Sequence, residues 1–171
     1  MKHPWLALAT CLAFALPDVA GAVTPPLHPM RERFEGTWYE IARFPERIGA
    51  DCHNTKVTFE LQADGSFDAI SSCRKGSPDG PEKKFRARAW LLGPPDKPQV
   101  RVVYKVIFRL QVPVLRIGDQ FDYVVVGSRD GKHLSIASRS KHMSEAQWQE
   151  LMERLSESGV NVERLVRVPQ T

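Results

Sequence analysis

Residues 34–44 read FEGTWYEIARF. A half-buried strand usually alternates aliphatic and polar residues, whereas here a glycine precedes a tryptophan and a glutamate follows. On a regular strand over residues 37–45, Trp38 and Glu40 point to the same side. An inward tryptophan can close one end of a barrel, and Gly36 would let the incoming chain cross beneath it. Because an unpaired buried carboxylate is costly, we expect a basic or hydroxyl side chain, rather than a polar ligand group, next to Glu40.

Turn signals recur along the chain at intervals that suit short antiparallel strands. They are Asp64-Gly65, SPDGP at 77–81, GPPDKP at 93–98, Gly118-Asp119 and Asp130-Gly131. The apolar and β-branched runs between them predict eight strands, near 37–45, 53–62, 66–74, 83–92, 99–108, 112–118, 121–129 and 132–140. Even spacing of this kind favours an all-β sandwich or an up-and-down barrel.

One amphipathic helix is predicted at about residues 144–158. Ser144 and Gln147 have the spacing of a capping box, and Gly159 stands where a glycine commonly ends a helix. The apolar residues of this segment recur at helical spacing and form one stripe, made of Trp148, Leu151, Met152 and Leu155. The polar face is acidic and the stripe is narrow, so we expect packing against the strands rather than on a membrane. Residues 160–168 could add a short final strand.

The first 22 residues have the pattern of a signal peptide. Lys2 precedes an apolar run from 5 to 16, and the segment ends in Ala20-Gly21-Ala22, a small-residue cleavage pattern. Cys11 lies in the middle of that run, so acylation at this cysteine is the less favoured interpretation. Residues 23–33 then lead into a single barrel domain over 34–171, and the predicted location is the periplasm, with outer-membrane association left open.

Two cysteines, Cys52 and Cys73, remain after the predicted leader, and an even pair in an exported chain indicates a disulfide. No CxxC or HExxH motif accompanies them, so we predict no metal site and no cofactor. The net charge of +4 is spread along the sequence. Without clustered basic and aromatic residues, the chain does not have the pattern of a nucleic-acid-binding protein.

Three motifs carry a resemblance to a known family. They are GTWYEIAR at 36–43, Asp122-Tyr123 followed by VVVG, and Ser138-Arg139. In this order and spacing they resemble the lipocalins, and in particular the bacterial outer-membrane and apolipoprotein-D-like branch. The resemblance implies an eight-stranded antiparallel barrel, a calyx, with one C-terminal helix packed on its outside.

The resemblance also implies a contact between the third motif and the first. Arg139 is expected to lie over the ring of Trp38 in a cation–π contact. A two-residue turn at Asp130-Gly131 would place Asp122 opposite Arg139, and we predict an ion pair between them. Structural roles are therefore predicted for Gly36, Trp38, Glu40, Asp122, Tyr123 and Arg139.

The branch that the sequence resembles binds fatty acids and lysophospholipids. The implied function is non-enzymatic binding, storage or transport of an amphipathic lipid. Peripheral outer-membrane contact is left open. Inward strand parity predicts a calyx lining made of Phe59, Leu61, Phe67, Ala69, Ala87, Ala89, Leu91, Val102, Tyr104 and Tyr123. Alanines beside aromatics leave space for a ligand, although they could also belong to a filled core.

Other classes of function stay open. A lipocalin that binds a protein partner, a pigment or haem is an alternative, and a homodimer has no support in the sequence. An enzyme is the least favoured alternative, because a disulfide removes the two thiols and Glu40 has no evident catalytic partner.

Overall fold

The computed structural model describes residues 28–46, 49–105 and 107–171. Its elements are α1 (Arg31–Phe34), β1 (Gly36–Arg43), β2 (Cys52–Leu61), β3 (Phe67–Lys75), β4 (Glu82–Leu92), β5 (Gln99–Tyr104), β6 (Phe108–Ile117), β7 (Tyr123–Gly127), β8 (Leu134–Ser138), α2 (Glu145–Glu157), a 3₁₀ turn (Val162–Arg164) and β9 (Val166–Arg167). None of the helices in this part of the chain is long and apolar enough to cross a membrane.

The strands form a closed antiparallel barrel. Each strand from β2 to β7 pairs with the next, and β1 pairs with both β2 and β8, which closes the sheet. The short β9 pairs with β1. Successive connections therefore alternate between two ends. The β2–β3, β4–β5 and β6–β7 turns share one end with the start of β1, which we call the closed end. The four other connections lie at the opposite, open end. The predicted fold class is confirmed.

Two apolar clusters lie on the two sides of the sheet. The inner cluster lies inside the barrel around Trp38, Phe67 and Val124. The outer cluster joins β1, β7 and β8 to α2, where Ile41 packs with Trp148 and Leu151. The predicted capping box is present, since the Ser144 hydroxyl accepts from the Gln147 N–H and the Gln147 side chain bonds back. The prediction that the helical stripe packs on the outside of the strands is confirmed.

The open end contains one turn without a sequence signal. The fifth strand was expected to run to residue 108, but β5 ends at Tyr104 and β6 begins at Phe108. Lys105 adopts a left-handed conformation with φ of 47°, and the Ile107 N–H donates to the Lys105 carbonyl at 2.7 Å. Glycine or asparagine usually marks such a position, and neither occurs here.

Other differences concern the ends of the chain. The four-residue helix α1 was not predicted, and the final strand is limited to Val166–Arg167. The predicted signal peptide over 1–22 lies outside the described residues, and the division of the chain at 22 and 33 stays a prediction. The predicted disulfide between Cys52 and Cys73 is present and ties the start of β2 to β3, with the Cα atoms 5.4 Å apart.

Candidate functional site: a cavity inside the barrel

The closed end is sealed by aromatic rings and one arginine. The Trp38 side chain is 1% exposed, and its indole N–H donates to the Phe34 carbonyl at 2.8 Å. Phe34 and Phe121 pack beside it, with ring centroids 5.9 and 6.1 Å from Trp38. The Arg139 guanidinium carbon lies 3.8 Å from the centre of the indole. The contact expected between Arg139 and Trp38 is therefore present.

The predicted register of the last hairpin is confirmed, but the predicted ion pair is wrong. Tyr123 pairs with Ser138, and the Arg139 N–H donates to the Asp122 carbonyl at 2.7 Å, so Asp122 and Arg139 are opposite each other. The Arg139 guanidinium instead donates to the carbonyls of Thr37 and Arg33. The Asp122 carboxylate accepts from the side chain of Gln147 at 3.4 Å. When the guanidinium lies over the indole of Trp38, the backbone carbonyls of Thr37 and Arg33 are the acceptors within its reach. These carbonyls, and not the Asp122 carboxylate, therefore orient it.

At the closed end, the buried His28 is expected to make the stability of the fold depend on pH. Burial lowers the pKa of its imidazole from 6.5, against a smaller opposite effect of the Pro94 carbonyl. Its Nδ1 accepts from the Met30 N–H at 3.2 Å, which a protonated ring cannot do. Below pH 6.5 the unfolded chain binds this proton more readily than the folded chain, so the unfolding free energy falls as the pH decreases.

We expect the substitution His28→Asn to flatten this pH dependence between pH 7 and 5. Denaturant unfolding at a series of pH values measures it. His142 is exposed and provides the control, since His142→Asn should leave the pH dependence of the wild type. A His28→Asn protein with an unchanged slope would contradict the assignment.

A charged group lies inside the barrel on β1. The Glu40 carboxylate accepts from the Arg43 guanidinium at 2.7 Å and from the Ser135 hydroxyl at 2.8 Å. Both side chains of the ion pair are only 16% exposed. The second guanidinium nitrogen of Arg43 donates to the Gly49 carbonyl at 2.7 Å. The expectation that Glu40 has a basic or hydroxyl partner is confirmed, and it has both.

A β-bulge produces this arrangement. Glu40 pairs with Ala137, and Ala42 pairs with Ile136, so that Ile41 is an extra residue in β1. Ile41 and Ala42 consequently both lie in the outer cluster, and Arg43 returns to the side of Glu40. Without the bulge, simple alternation would place Arg43 on the outer face.

An internal cavity of about 280 Å³ extends from Trp38 along the barrel. One side of it is apolar and is supplied by β5, β6 and β7, with Val100, Val102, Leu110, Val112, Val124 and Val126. The other side contains polar groups from β1, β2, β3 and β8, namely Glu40, Thr55, Ser71 and Ser135. The Thr55 hydroxyl oxygen is buried and has no hydrogen-bond partner among the described residues. The cavity therefore offers an apolar wall, a polar wall and a free hydroxyl.

Nine of the ten residues predicted to line the calyx fall into three groups. Phe59 and Val102 line the cavity. Leu61, Phe67, Ala69, Ala87, Ala89 and Leu91 pack in the inner cluster around it. Tyr104 lies nearer the open end, with its ring 6.4 Å from that of Phe85. Contact of these residues with a ligand stays a prediction.

Tyr123 does not face the interior. Its neighbour Val124 belongs to the inner cluster, so Tyr123 lies on the other face and packs against the cluster beneath α2. Burial raises the pKa of its phenol. The prediction that Tyr123 points into the barrel is therefore wrong by one residue along β7. The sequence gives no signal for the inward face here, because Val124, Val125 and Val126 are all apolar.

Several cavity residues were missed. Thr55 and Ser135 follow the period-two pattern of β2 and β8, and counting outward from Val57 and Ala137 would have found them. Leu110 and Val112 could not be assigned to the cavity from the sequence, because the turn before Phe108 was not predicted.

Comparisons with known proteins agree with this architecture. Residues 31–170 match the family described as "Lipocalin-like domain". Temperature-induced lipocalin-1 of Arabidopsis thaliana is 28% identical over 159 residues, which cover 82% of this chain and 78% of that protein. Outer membrane lipoprotein Blc of Escherichia coli K12 is 28% identical over 141 residues, which cover 81% of this chain and 78% of that protein.

Solved structures show the same fold at lower identity. Lobster apocrustacyanin A1 matches with a TM-score of 0.65 at 19% identity, covering 84% of this chain and 81% of that one. Insecticyanin from the tobacco hornworm Manduca sexta matches with a TM-score of 0.60 at 17% identity, covering 85% and 84%. A closed eight-stranded barrel, an outer C-terminal helix and a family match over residues 31–170 lead to one conclusion: this chain belongs to the lipocalin family, whose members typically bind small hydrophobic ligands without catalysis.

Proposed function

We propose that this protein reversibly binds one single-chain amphipathic lipid, a fatty acid or a lysophospholipid, and stores or carries it in the cell envelope for membrane maintenance. The observation that carries the proposal is the internal cavity, which is apolar along β5, β6 and β7. Small-molecule sites are mostly apolar with a few placed polar groups. The name of a relative, outer membrane lipoprotein Blc, supports an envelope location, and the predicted signal peptide agrees with it.

The volume of the cavity favours a ligand with one acyl chain. At about 280 Å³ it lies near the lower end of the range for small-molecule sites. A phospholipid with two acyl chains would need more apolar volume than the barrel encloses. We therefore expect fatty acids and lysophospholipids to bind and phospholipids with two chains to be excluded.

The charges in the barrel favour one orientation of the ligand. Glu40 places a carboxylate on the cavity wall, and Arg43 and Ser135 already bond to it. A carboxylate or phosphate at the same depth would find the Arg43 guanidinium already bonded to Glu40 and to the Gly49 carbonyl, and would lose its hydration without gaining a cation. The acyl chain should therefore point toward Trp38, with the head group at the open end.

The experiment that tests the proposal combines ligand identification with a binding assay. Native mass spectrometry of the protein purified from its own envelope fraction, followed by organic extraction, should identify one fatty acid or lysophospholipid per barrel. Titration of the emptied protein with such lipids should then show saturable binding. If the barrel is empty and binds no lipid of either class, the proposal is wrong. A chromophore in the absorption spectrum would instead favour pigment or haem binding.

Two neighbouring valines provide matched variants for the same assay. Val102 lines the cavity, whereas Val103 borders a groove on the outer face. The substitution Val102→Trp should fill the space of the acyl chain and weaken lipid binding by at least about tenfold, since loss of a few buried methylenes costs that much. Val103→Trp adds the same side chain outside and should bind lipid like the wild type. Equal affinities of the two variants would place the ligand outside the barrel.

A further inference from the structure

We propose that the open end of the barrel docks onto the surface of an anionic lipid bilayer. The contact surface, called the rim patch, consists of Phe85, Tyr104, Ile107, Phe108 and Leu110. Ile107 is 91% exposed, Phe108 58%, Phe85 48% and Leu110 44%. Isolated exposed hydrophobic residues are normal, but several adjacent ones mark an interaction site.

The position of the rim patch is unusual for a turn. It is centred on the short connection between β5 and β6, where Tyr104 pairs with Phe108. Turns of this kind are usually made of glycine, asparagine, aspartate or serine. Here Ile107 projects from the tip beside Lys105, which adopts a left-handed backbone conformation. An isoleucine that is 91% exposed at the tip of a turn favours a further contact for its side chain outside the barrel.

Charges around the rim patch are complementary to an anionic surface. The exposed cations near it are Lys83, Arg86, Lys105 and Arg109. None of these four lies within ion-pair distance of a carboxylate among the described residues. In contrast, the carboxylates at the open end mostly have partners: Glu82 pairs with Lys84, Asp51 with Lys75, Asp130 with Lys132 and Glu46 with His133. Asp79 and Glu163 are exposed carboxylates near this end that have no ion-pair partner among the described residues.

The composition of the rim patch favours a bilayer over a protein partner. Aromatic and aliphatic side chains flanked by lysine and arginine are typical of segments that lie at the membrane interface. A specific protein interface needs about 20–30 residues on each side, far more than the five of the rim patch. A bilayer needs no shape complementarity, since the apolar tip enters the head-group region and the cations bind anionic lipids.

Docking in this position would place the mouth of the cavity against the bilayer. Phe85 and Tyr104 are in edge-to-face contact at the mouth, and Leu110 belongs both to the rim patch and to the cavity wall. A lipid could then move between bilayer and barrel without exposing its chain to water. The inference goes beyond the proposed function and does not depend on it, because bilayer contact requires no ligand.

Vesicle co-sedimentation tests the inference. The protein should bind vesicles of phosphatidylglycerol and phosphatidylcholine, bind phosphatidylcholine vesicles less, and dissociate as the salt concentration rises. The substitution Ile107→Asp should weaken binding by at least about tenfold, because it replaces an inserted aliphatic group by a charge. Lys105→Gln should weaken it by about fivefold, as expected for one cation near an anionic surface.

Val166 provides the control, since it is 52% exposed but lies on β9 at the outside of the barrel. Val166→Asp should bind vesicles like the wild type. Vesicle binding that is equal for wild type and Ile107→Asp would overturn the inference, as would a wild-type dimer that Ile107→Asp dissociates. Fatty-acid binding is measured separately on the same variants. Ile107→Asp should still bind fatty acids. A failure of the bilayer proposal can therefore be distinguished from a failure of the proposed lipid-binding function.

Discussion

Replacing Trp38 with alanine should lower the free energy of unfolding by about 3–5 kcal/mol. The indole is 1% exposed, and its N–H bonds to the Phe34 carbonyl. Removing it leaves a cavity at the closed end and deprives the Arg139 guanidinium of the ring it covers at 3.8 Å. A domain of this size is stable by about 5–15 kcal/mol in total. Denaturant unfolding followed by far-UV circular dichroism measures the loss.

Trp90 is the matched control for this measurement. It lies on β4 next to the buried Ala89, so its side chain is on the outer face, where it borders a groove with Arg101. Trp90→Ala removes the same side chain but opens no internal cavity, and it should cost about 1 kcal/mol. If Trp38→Ala is no more destabilising than Trp90→Ala, Trp38 does not seal the barrel.

Sequence alone predicts the barrel because its signals are local and repeated. Turn residues separate most strands, and the apolar periodicity of α2 predicts both its bounds and its buried side. The alternation in β2 and β5 also placed Phe59 and Val102 correctly at the cavity. These features depend on residues close together in the chain, whereas the choice of a closed barrel over a sandwich came from the family resemblance that the three motifs carry.

The polar part of the site depends on backbone irregularities that leave no clear pattern. The bulge at Ile41 moves Arg43 to the inner side, and an extra residue of this kind has no fixed side-chain signature. In β7 the residues Val124–Val126 are all apolar, so the sequence shows no alternation. Both faces of this strand need apolar residues, because α2 covers the outer face and the inner face borders the cavity. Tyr123 was assigned to the wrong face for this reason.

Register was easier to predict than side-chain direction. The hairpin between β7 and β8 placed Asp122 opposite Arg139 as expected, although the loop is longer than two residues, with Ser128 bonded to His133. The guanidinium nevertheless turns toward the Thr37 carbonyl. Backbone pairing fixes which residues are neighbours, whereas burial under α1 and β1 decides which acceptor a long side chain reaches.

The second large effect is expected at the ion pair inside the barrel. Arg43→Met should lower the free energy of unfolding by about 2–4 kcal/mol, because it leaves the Glu40 carboxylate in the cavity without a cation. The Ser135 hydroxyl, 2.8 Å from the carboxylate, would remain as its hydrogen-bond donor. Both charged groups are 16% exposed, so water can compensate for only part of the lost interaction. Denaturant unfolding measures the change.

The double variant Glu40→Leu with Arg43→Met separates the cost of an unpaired charge from the loss of packing. It removes both charges and keeps side chains of similar size, and buried pairs replaced in this way often retain or gain stability. We therefore expect the double variant to recover most of the stability that Arg43→Met loses. It should also bind acyl chains at least as well as the wild type, since the cavity wall becomes more apolar. If the double variant is as unstable as Arg43→Met, the arginine stabilises the barrel through its bond to the Gly49 carbonyl and not through its charge.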